Sequence, residues 1–325
     1  MIHSNILCSI STKGRYFTTL PLAISSVITQ TQLPKRLVIF DDNDDPQDMR
    51  KENVYTNLFQ IMDIKGIEWE WLWAGKQGQH HNHQRANQMP FEWIWRVDDD
   101  TISEPTVLEN LAKHCAPGVG AIGGTVCTPG WKLEPVTVTG KMANIYNEPN
   151  IQWFPIKQVQ EVDHLHCSFL YRAGVADYNL GLSRVAHREE TLFTWELTQR
   201  GFKNLVVPGA MTWHLKSPSG GIRDLNVAEL FDHDEKIFQN IIGLKDQTIV
   251  VLNNGMGDHI MFKSVLKDIK NPTVFSCYPE IIPGRSIQEA KDLFGDIEQW
   301  NIYRKMDQWR WTQSVEQAFR KLYGV

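Results

Sequence analysis

Arg96-Val97-Asp98-Asp99-Asp100-Thr101 follows directly on the apolar run Phe91-Glu92-Trp93-Ile94-Trp95. An aromatic, β-prone segment thus ends in three adjacent carboxylates. Desolvating unpaired charge costs several kcal/mol, so a buried strand cannot keep this run in its interior. The run belongs at the strand's C-terminal end, facing a crevice. Side chains alternate along extended chain, which puts Asp98 and Asp100 on one side. There they can hold a hard divalent cation, Mn²⁺ or Mg²⁺, of the kind that neutralises phosphate. An acidic run alone is also a common solvated turn, so the surrounding elements must supply the rest of a site.

Those elements alternate. Asn5 to Ile10 is apolar and β-prone and leads into Ser11-Thr12. Leu20, Ala23, Ile24, Val27 and Ile28 follow the i, i+3, i+4, i+7, i+8 pattern of a core-facing helix, with Pro21 in its first turn. Pro34 breaks that helix, and Arg36 to Phe40 reads as a buried strand ending in Asp41-Asp42. Glu68 to Trp73 is a third strand and Phe91 to Val97 a fourth. Ser103 is placed to cap a helix with Pro105 in its first turn and Val107, Leu108, Leu111 and Cys115 on one face. The alternation predicts an α/β domain with a mixed, mostly parallel central sheet. Ligands of such sheets bind at the carboxyl ends of strands. Three predicted strand ends carry polar residues: Ser11-Thr12, Asp41-Asp42 and Asp98 to Asp100.

Residues 118 to 165 are irregular and richer in Gly, Pro and Thr. A helix is expected over Glu189 to Gly201, stopped by the glycine, and a short strand at Leu205 to Pro208. Residues 215–246 read as a connector, with a flexible Ser217-Pro218-Ser219-Gly220-Gly221 followed by a polar helix. A second unit begins near Gln247: a strand Thr248 to Leu252, the turn Asn253-Asn254-Gly255-Met256-Gly257, a helix carrying Ile260, Phe262, Val265, Leu266 and Ile269, then a strand Thr273 to Ser276. Two domains are therefore expected, 1–245 and a small Rossmann-like 246–325. Gly255-Met256-Gly257-Asp258 at a helix N-terminus could cradle a phosphate, but a lone Gly-x-Gly is weak evidence.

Bulk properties narrow the class. The chain has 325 residues, 42% hydrophobic and 22% charged, enough for a real core and without the signature of disorder. A formal charge of -5 disfavours a broad polyanion-binding surface. No apolar run approaches the ~18–20 residues of a membrane span. The strand-like start leaves no room for a signal peptide. Five scattered cysteines without a Cys-x-x-Cys pair favour a reducing compartment over a disulfide framework. A cytoplasmic protein, also able to sit at a membrane's edge, is expected.

In order along the chain stand Ser11-Thr12-Lys13-Gly14-Arg15, Ser26-Val27-Ile28-Thr29-Gln30-Thr31, Asp41-Asp42, Arg85-Ala86-Asn87, Asp98-Asp99-Asp100, Glu189-Glu190 with Phe193 and Gly201, and the segment Val206 to His214. In this order the motifs resemble the family 2 glycosyltransferases of GT-A fold over residues 1–245. The family often has Glu-Asp where this chain has Glu189-Glu190, and an Arg where it has Glu196. Residues 246–325 weakly resemble the opening of a heptosyltransferase-type GT-B half.

The resemblance implies a nucleotide-sugar donor, UDP-linked, and transfer to a hydroxyl on a glycan or glycoconjugate with inversion. It implies Asp42, with Asp41, on the base; Ser11, Thr12, Arg15, Lys76, Arg85 and Asp99 around the donor; and Asp98, Asp100 and His214 on the metal. Imidazole suits Mn²⁺ better than Mg²⁺. Glu190, with Glu189 beside it, is the expected base on the acceptor, although two carboxylates in a helix's first turn also suit its dipole. His80, His81 and His83 are read as a mobile loop over the donor, and Asp163 to Ser168 as lying at the acceptor side. The C-terminal domain is expected to serve docking or homodimerisation. A nucleotidyltransferase and a non-catalytic nucleotide-sugar-binding module are the alternatives. A modified nucleic-acid base stays open as acceptor, disfavoured by the charge.

Overall fold

The computed structural model describes residues 2–3, 5–130, 145, 150–221, 227–243, 247–294, 297, 300–305 and 313–325. It divides into two compact units, Met1–Phe238 and Gln239–Val325.

In the first unit, β1 (Ile6–Thr12), α1 (Leu20–Ile28), β2 (Arg36–Asp41), α2 (Asn53–Lys65), β3 (Glu68–Trp73), α3 (Gln79–Asn87) and β4 (Trp93–Asp98) alternate; the sequence predicts all of these but α2 and α3. Then come β5 (Thr101–Ser103), α4 (Val107–Ala112), β6 (Val119–Cys127), β7 (Gln160–Val162), β8 (Phe169–Arg172), α5 (Glu189–Gln199), β9 (Lys203–His214) and α6 (Ala228–Ile241). Among the described residues these nine strands form one mixed sheet of order β3-β2-β1-β4-β8-β6-β9-β5, with β7 on β9. β3, β2, β1 and β4 run parallel, and β8 is antiparallel to both its neighbours.

β1, β2 and β4 are buried on both faces, and their side chains feed two cores. One face packs Cys8, Ile10, Leu37, Ile39 and Trp95 against Ala23, Ile24, Val27 and Tyr55. The other packs Leu7, Val38, Phe40 and Ile94 with Phe169, Tyr171 and Phe193. Burial at roughly 25 cal/mol per Å² of apolar surface is what holds β1 and β2 in place. Register then brings the strand ends together: Ser11 pairs with Asp98, and Thr12 with Asp41.

Four local expectations change. Val119–Cys127, read as irregular, is a fully buried strand. The strand expected at Leu205 to Pro208 runs from Lys203 to His214, with a register irregularity between Val206 and Met211. Ser103 ends β5, bonded to Thr212 Oγ1 at 3.2 Å, and Thr106 instead precedes α4. The histidine cluster lies on α3 rather than on a loop, with His80 and His83 buried.

The second unit pairs β10 (Thr248–Leu252) in parallel with β11 (Pro272–Ser276) through α7 (Met256–Leu266). α8 (Ile287–Phe294) and α9 (Gln313–Tyr323) complete it. Val250, Leu252, Phe262, Val265 and Phe319 form its core. Asp258 Oδ2 accepts from Gly255 N at 3.1 Å and from the Tyr303 hydroxyl at 2.5 Å, so a carboxylate of the chain already answers the turn considered as a phosphate cradle. Among the described residues no helix is long and apolar enough to cross a membrane.

Candidate active site

A cavity of about 220 Å³ opens at the carboxyl ends of β1, β2 and β4. Ser11, Thr12, Arg15, Asp42, Asp98, Asp99, Asp100, Glu190 and His214 all line it. These residues come from five separate stretches of sequence. Lys13, Gln79, His83, Arg96, His166, Arg184, His187 and Arg188 line it as well.

The three aspartates of the acidic run have different partners. Asp99 takes the Thr12 hydroxyl at 2.8 Å, the Lys13 N–H at 3.3 Å and the Arg15 guanidinium. Burial pushes its carboxyl up to about 6 against the pull of Arg15. Asp100 Oδ2 lies 3.2 Å from Arg15 Nη2, and its Oδ1 lies 3.3 Å from His214 Nε2. The second pairing follows from the sheet, because β5 and β9 set Thr101 opposite His214. Asp98 is the more open member, 3.4 Å from Arg96 Nη2. Arg15 is strapped from above: its Nε and Nη2 donate to the carbonyls of Ser219 and Gly220 at 3.4 and 3.3 Å, and Gly221 N donates to Lys13 O at 2.8 Å.

Asp41 and Asp42 part company because successive side chains point to opposite faces. Asp41 is turned away from the cavity and accepts from the Tyr16 hydroxyl, Trp71 Nε1 at 3.1 Å and Asn43 Nδ2 at 2.7 Å. Asp42 faces the cavity and accepts the N–H groups of Gln77 and Gly78, each at 3.1 Å. Burial raises its pKa. Gly78 sits at φ +99°, where a Cβ would lie 2.9 Å from Arg184 O, so glycine is required there. Lys76 is exposed and outside the cavity lining. Arg85 is likewise outside it, donating to Trp73 O at 2.9 Å and lying over the Phe40 ring.

The two glutamates also divide. Glu189 is fully buried behind the wall, 2.5 Å from Arg96 Nη1, and takes Gln79 Nε2 at 3.1 Å. Burial pushes its carboxyl up, and the charge of Arg96 opposes that. Glu190 is at the wall, with His166 Nδ1 3.2 Å from its Oε1. Burial works against its charge, but the His166 hydrogen bond and the charge of Arg96 outweigh that and hold its carboxyl well below the usual range. α5 starts here because Arg188, at φ 69°, breaks the preceding chain, and it stops at Gly201, φ 85°.

The rim of Ser183 to Arg188 is fixed by α6. Asp234, fully buried, accepts from Ser183 N, Ser183 Oγ and His187 N at 2.6, 2.9 and 2.8 Å. Arg188 Nε donates to Glu235 at 3.2 Å. Sequence reasoning missed this rim and Arg96, and gave His166 only as part of the segment Asp163 to Ser168 at the acceptor side. A charged residue inside the apolar run before Asp98 was a readable sign for Arg96; the rim had none at helical or strand spacing.

Among the described residues no three His, Cys, Asp or Glu side chains form a ready-made metal cage. The donors at hand, the carboxylates of Asp98 and Asp100 and the imidazole of His214, nevertheless suit a divalent ion such as Mn²⁺.

No protein-family model matches the chain, and no curated protein matches it. Solved structures do. TarS of S. aureus, residues 1–349 in complex with UDP-GlcNAc, is 14% identical with a TM-score of 0.51, over 98% of this chain and 83% of that one. GalNAc-T7 with UDP, GalNAc and Mn²⁺ is 14% identical with a TM-score of 0.49, over 72% of this chain and 49% of that one. A longer TarS structure gives a TM-score of 0.48 at 14% identity, over 94% of this chain and 48% of its own. The chain spans about half the length of these last two. The likeness shows the fold: the chain has the α/β fold of GT-A glycosyltransferases.

Proposed function

We propose that the chain is a nucleotide-sugar glycosyltransferase that uses a UDP-linked donor and inverts the anomeric centre. One observation carries this reading. Ser11 and Thr12, Asp42, the Asp98 to Asp100 run and Glu190 meet in one cavity at the carboxyl edge of the sheet, where ligands of open α/β sheets bind. The UDP-GlcNAc complex of the TarS fragment, which shares the fold, supports a UDP-sugar as donor.

In this reading Asp42, held by two backbone N–H groups, hydrogen-bonds the uracil. Asp98, Asp100 and His214 would hold Mn²⁺ or Mg²⁺, which as a Lewis acid stabilises charge on the departing diphosphate. Arg15, Lys13 and the rim arginines Arg184 and Arg188 add positive charge around the same end. Arg15 also neutralises Asp99 and Asp100, so the acidic run does not repel the incoming phosphates. Glu190 is the carboxylate that serves the acceptor hydroxyl on a glycan or glycoconjugate. Glu189 stands behind it as its support, and Lys76, Arg85 and Asp41 shape the surroundings. Residues 1–245 form the transferase domain, and 246–325 an accessory domain for docking or dimerisation.

The test is a thermal-shift screen of nucleotide-sugars with and without Mn²⁺. Bound donor raises stability by mass action, about 2.7 kcal/mol at a hundredfold excess over Kd. UDP-sugars are expected to shift the melting temperature and the other nucleotides to shift it less. Product analysis by NMR should then show the anomeric configuration opposite to the donor's. No response to any nucleotide-sugar removes the reading.

A further inference from the structure

His166 sits in a segment with no regular secondary structure, yet its position is tightly fixed. Its backbone N–H donates to Gln152 Oε1 at 2.9 Å, and that of Leu165 to Thr194 Oγ1 on α5 at 2.9 Å. Leu165 and Cys167 on either side are fully buried. Cys167 is held at φ 62°, a left-handed conformation that costs a non-glycine residue about 1–3 kcal/mol. The turn leaves the His166 ring on the cavity wall, 30% exposed. The ring stands edge-on to that of His214 at 6.3 Å, and so beside the end of the cavity where His214 meets Asp100.

Its contact with Glu190 fixes the tautomer. An ionised carboxylate only accepts hydrogen bonds, so Nδ1, 3.2 Å from Glu190 Oε1, carries a proton. In the neutral ring the lone pair is then on Nε2, at the opposite edge. Glu190 itself lies in the first turn of α5, where the helix dipole favours its charge. A carboxylate so stabilised orients a neighbour well and takes up a proton poorly. Carboxylate, imidazole and substrate hydroxyl in that order is the arrangement by which many enzymes activate oxygen nucleophiles.

We infer that His166 is the general base on the acceptor, with Glu190 as its orienting carboxylate, a refinement that rests on the transfer reaction proposed above. The acceptor hydroxyl gives its proton to Nε2. Its oxygen forms the bond to the anomeric carbon as the bond from that carbon to the diphosphate oxygen breaks. The electron pair of that bond leaves with the nucleoside diphosphate. The imidazolium is held against Glu190 until it passes its proton to water.

The test compares wild type, His166→Ala and Glu190→Gln for UDP release from UDP-GlcNAc and from a panel of other UDP-sugars, with and without free imidazole. UDP binding is followed by thermal shift, which also reports folding. His166→Ala is expected to lose roughly 10²–10⁴-fold in turnover while binding UDP like wild type. Free imidazole should restore part of the rate, and Glu190→Gln should lose less than His166→Ala. Near-normal turnover in His166→Ala, a loss that imidazole does not relieve, or a larger loss in Glu190→Gln overturns the inference. A second arm needs no donor. Nitrogen NMR of the labelled ring should find neutral His166 as the Nδ1–H tautomer in wild type, and an Nε2–H tautomer there overturns the dyad. If wild type releases no UDP without an acceptor, the thermal shift alone decides the donor reading, and the tautomer still decides whether the pair exists.

Discussion

Arg96 and Glu189 form a buried ion pair, Nη1 to Oε1 at 2.5 Å, that ties the strand bearing the acidic run to the helix bearing Glu190. Both side chains are at most 1% exposed. Removing one partner of such a pair leaves an uncompensated charge and costs about 3–5 kcal/mol. Arg96→Met is expected to lose stability in that range in urea unfolding. Glu189→Gln should lose less, because Asp98 remains 3.4 Å from the guanidinium. The double variant Arg96→Met/Glu189→Leu should recover most of the loss. A double-mutant cycle with no coupling would show that the pair does not act as a unit.

A metal ion and a guanidinium share Asp100 in the proposed mechanism. Calorimetry of UDP binding to wild type should therefore weaken on adding EDTA and recover with Mn²⁺. Asp100→Asn should bind UDP weakly and show no such response. An unchanged Mn²⁺ effect in that variant rules out Asp100 as a ligand.

Gly220 is held at φ +80°, and a Cβ there would lie 2.7 Å from Arg15 Cγ and 2.9 Å from Lys13 O. Gly220→Ala is expected to cost about 1–3 kcal/mol and to weaken UDP binding by displacing Arg15. Ser219→Ala, which leaves intact the carbonyl that Arg15 uses, is the control and should be nearly silent. Equal behaviour of the two variants would mean that the strap does not hold Arg15.

Burial lowers the His80 imidazole to about 4. The unfolded chain protonates near 6.5, so between these values it binds more protons than the folded one. The stability held by neutral His80 is complete above the unfolded value. It is lost as pH falls from about 6.5 to about 4, up to about 3 kcal/mol. His80→Leu should flatten that part of the stability profile measured by urea unfolding at successive pH values. A variant with the wild-type slope would assign the acid sensitivity elsewhere.

Asp234 on α6 holds both ends of the rim, which sets where the first domain can end. A chain stopping at residue 245 keeps all of α6 and should fold and bind UDP. One stopping at residue 226 should leave Ser183 and His187 without their acceptor and bind UDP weakly. Loss of folding in the longer truncation would overturn the proposed division.

Charge that abruptly ends an apolar run made Asp98 to Asp100 and Asp42 legible in sequence, whereas Glu190, in a helix's first turn, was reached only through the motif resemblance. The same rule could not separate Asp41 from Asp42, because only the strand's phase decides which side chain meets the cavity. Arg96 was readable as a charge inside an apolar run, but its partner Glu189, remote in sequence, was not. β6 was missed for a packing reason. Its Gly123 and Gly124 lower strand propensity, but a Cβ at Gly124 would fall 1.9 Å from Ala210 O, and one at Gly123 2.7 Å from Gln152 Nε2. Close approach of β9 and Gln152 required glycine where local preference opposed a strand. His166 lies in a loop, and no periodicity marks it.

The antiparallel β8, set between β4 and β6, stands between two stretches of chain that each bring residues to the cavity. On one side, residues 11–100 carry Thr12, Arg15, Asp42 and the acidic run. On the other, residues 166–234 carry His166, the rim, Glu190, His214 and Asp234. Under the proposed function, exchange within the later stretch would retune what is accepted while the earlier one keeps its hold on what is given. Arg96 bonded to Glu189 is the point where such an exchange would have to match both sides.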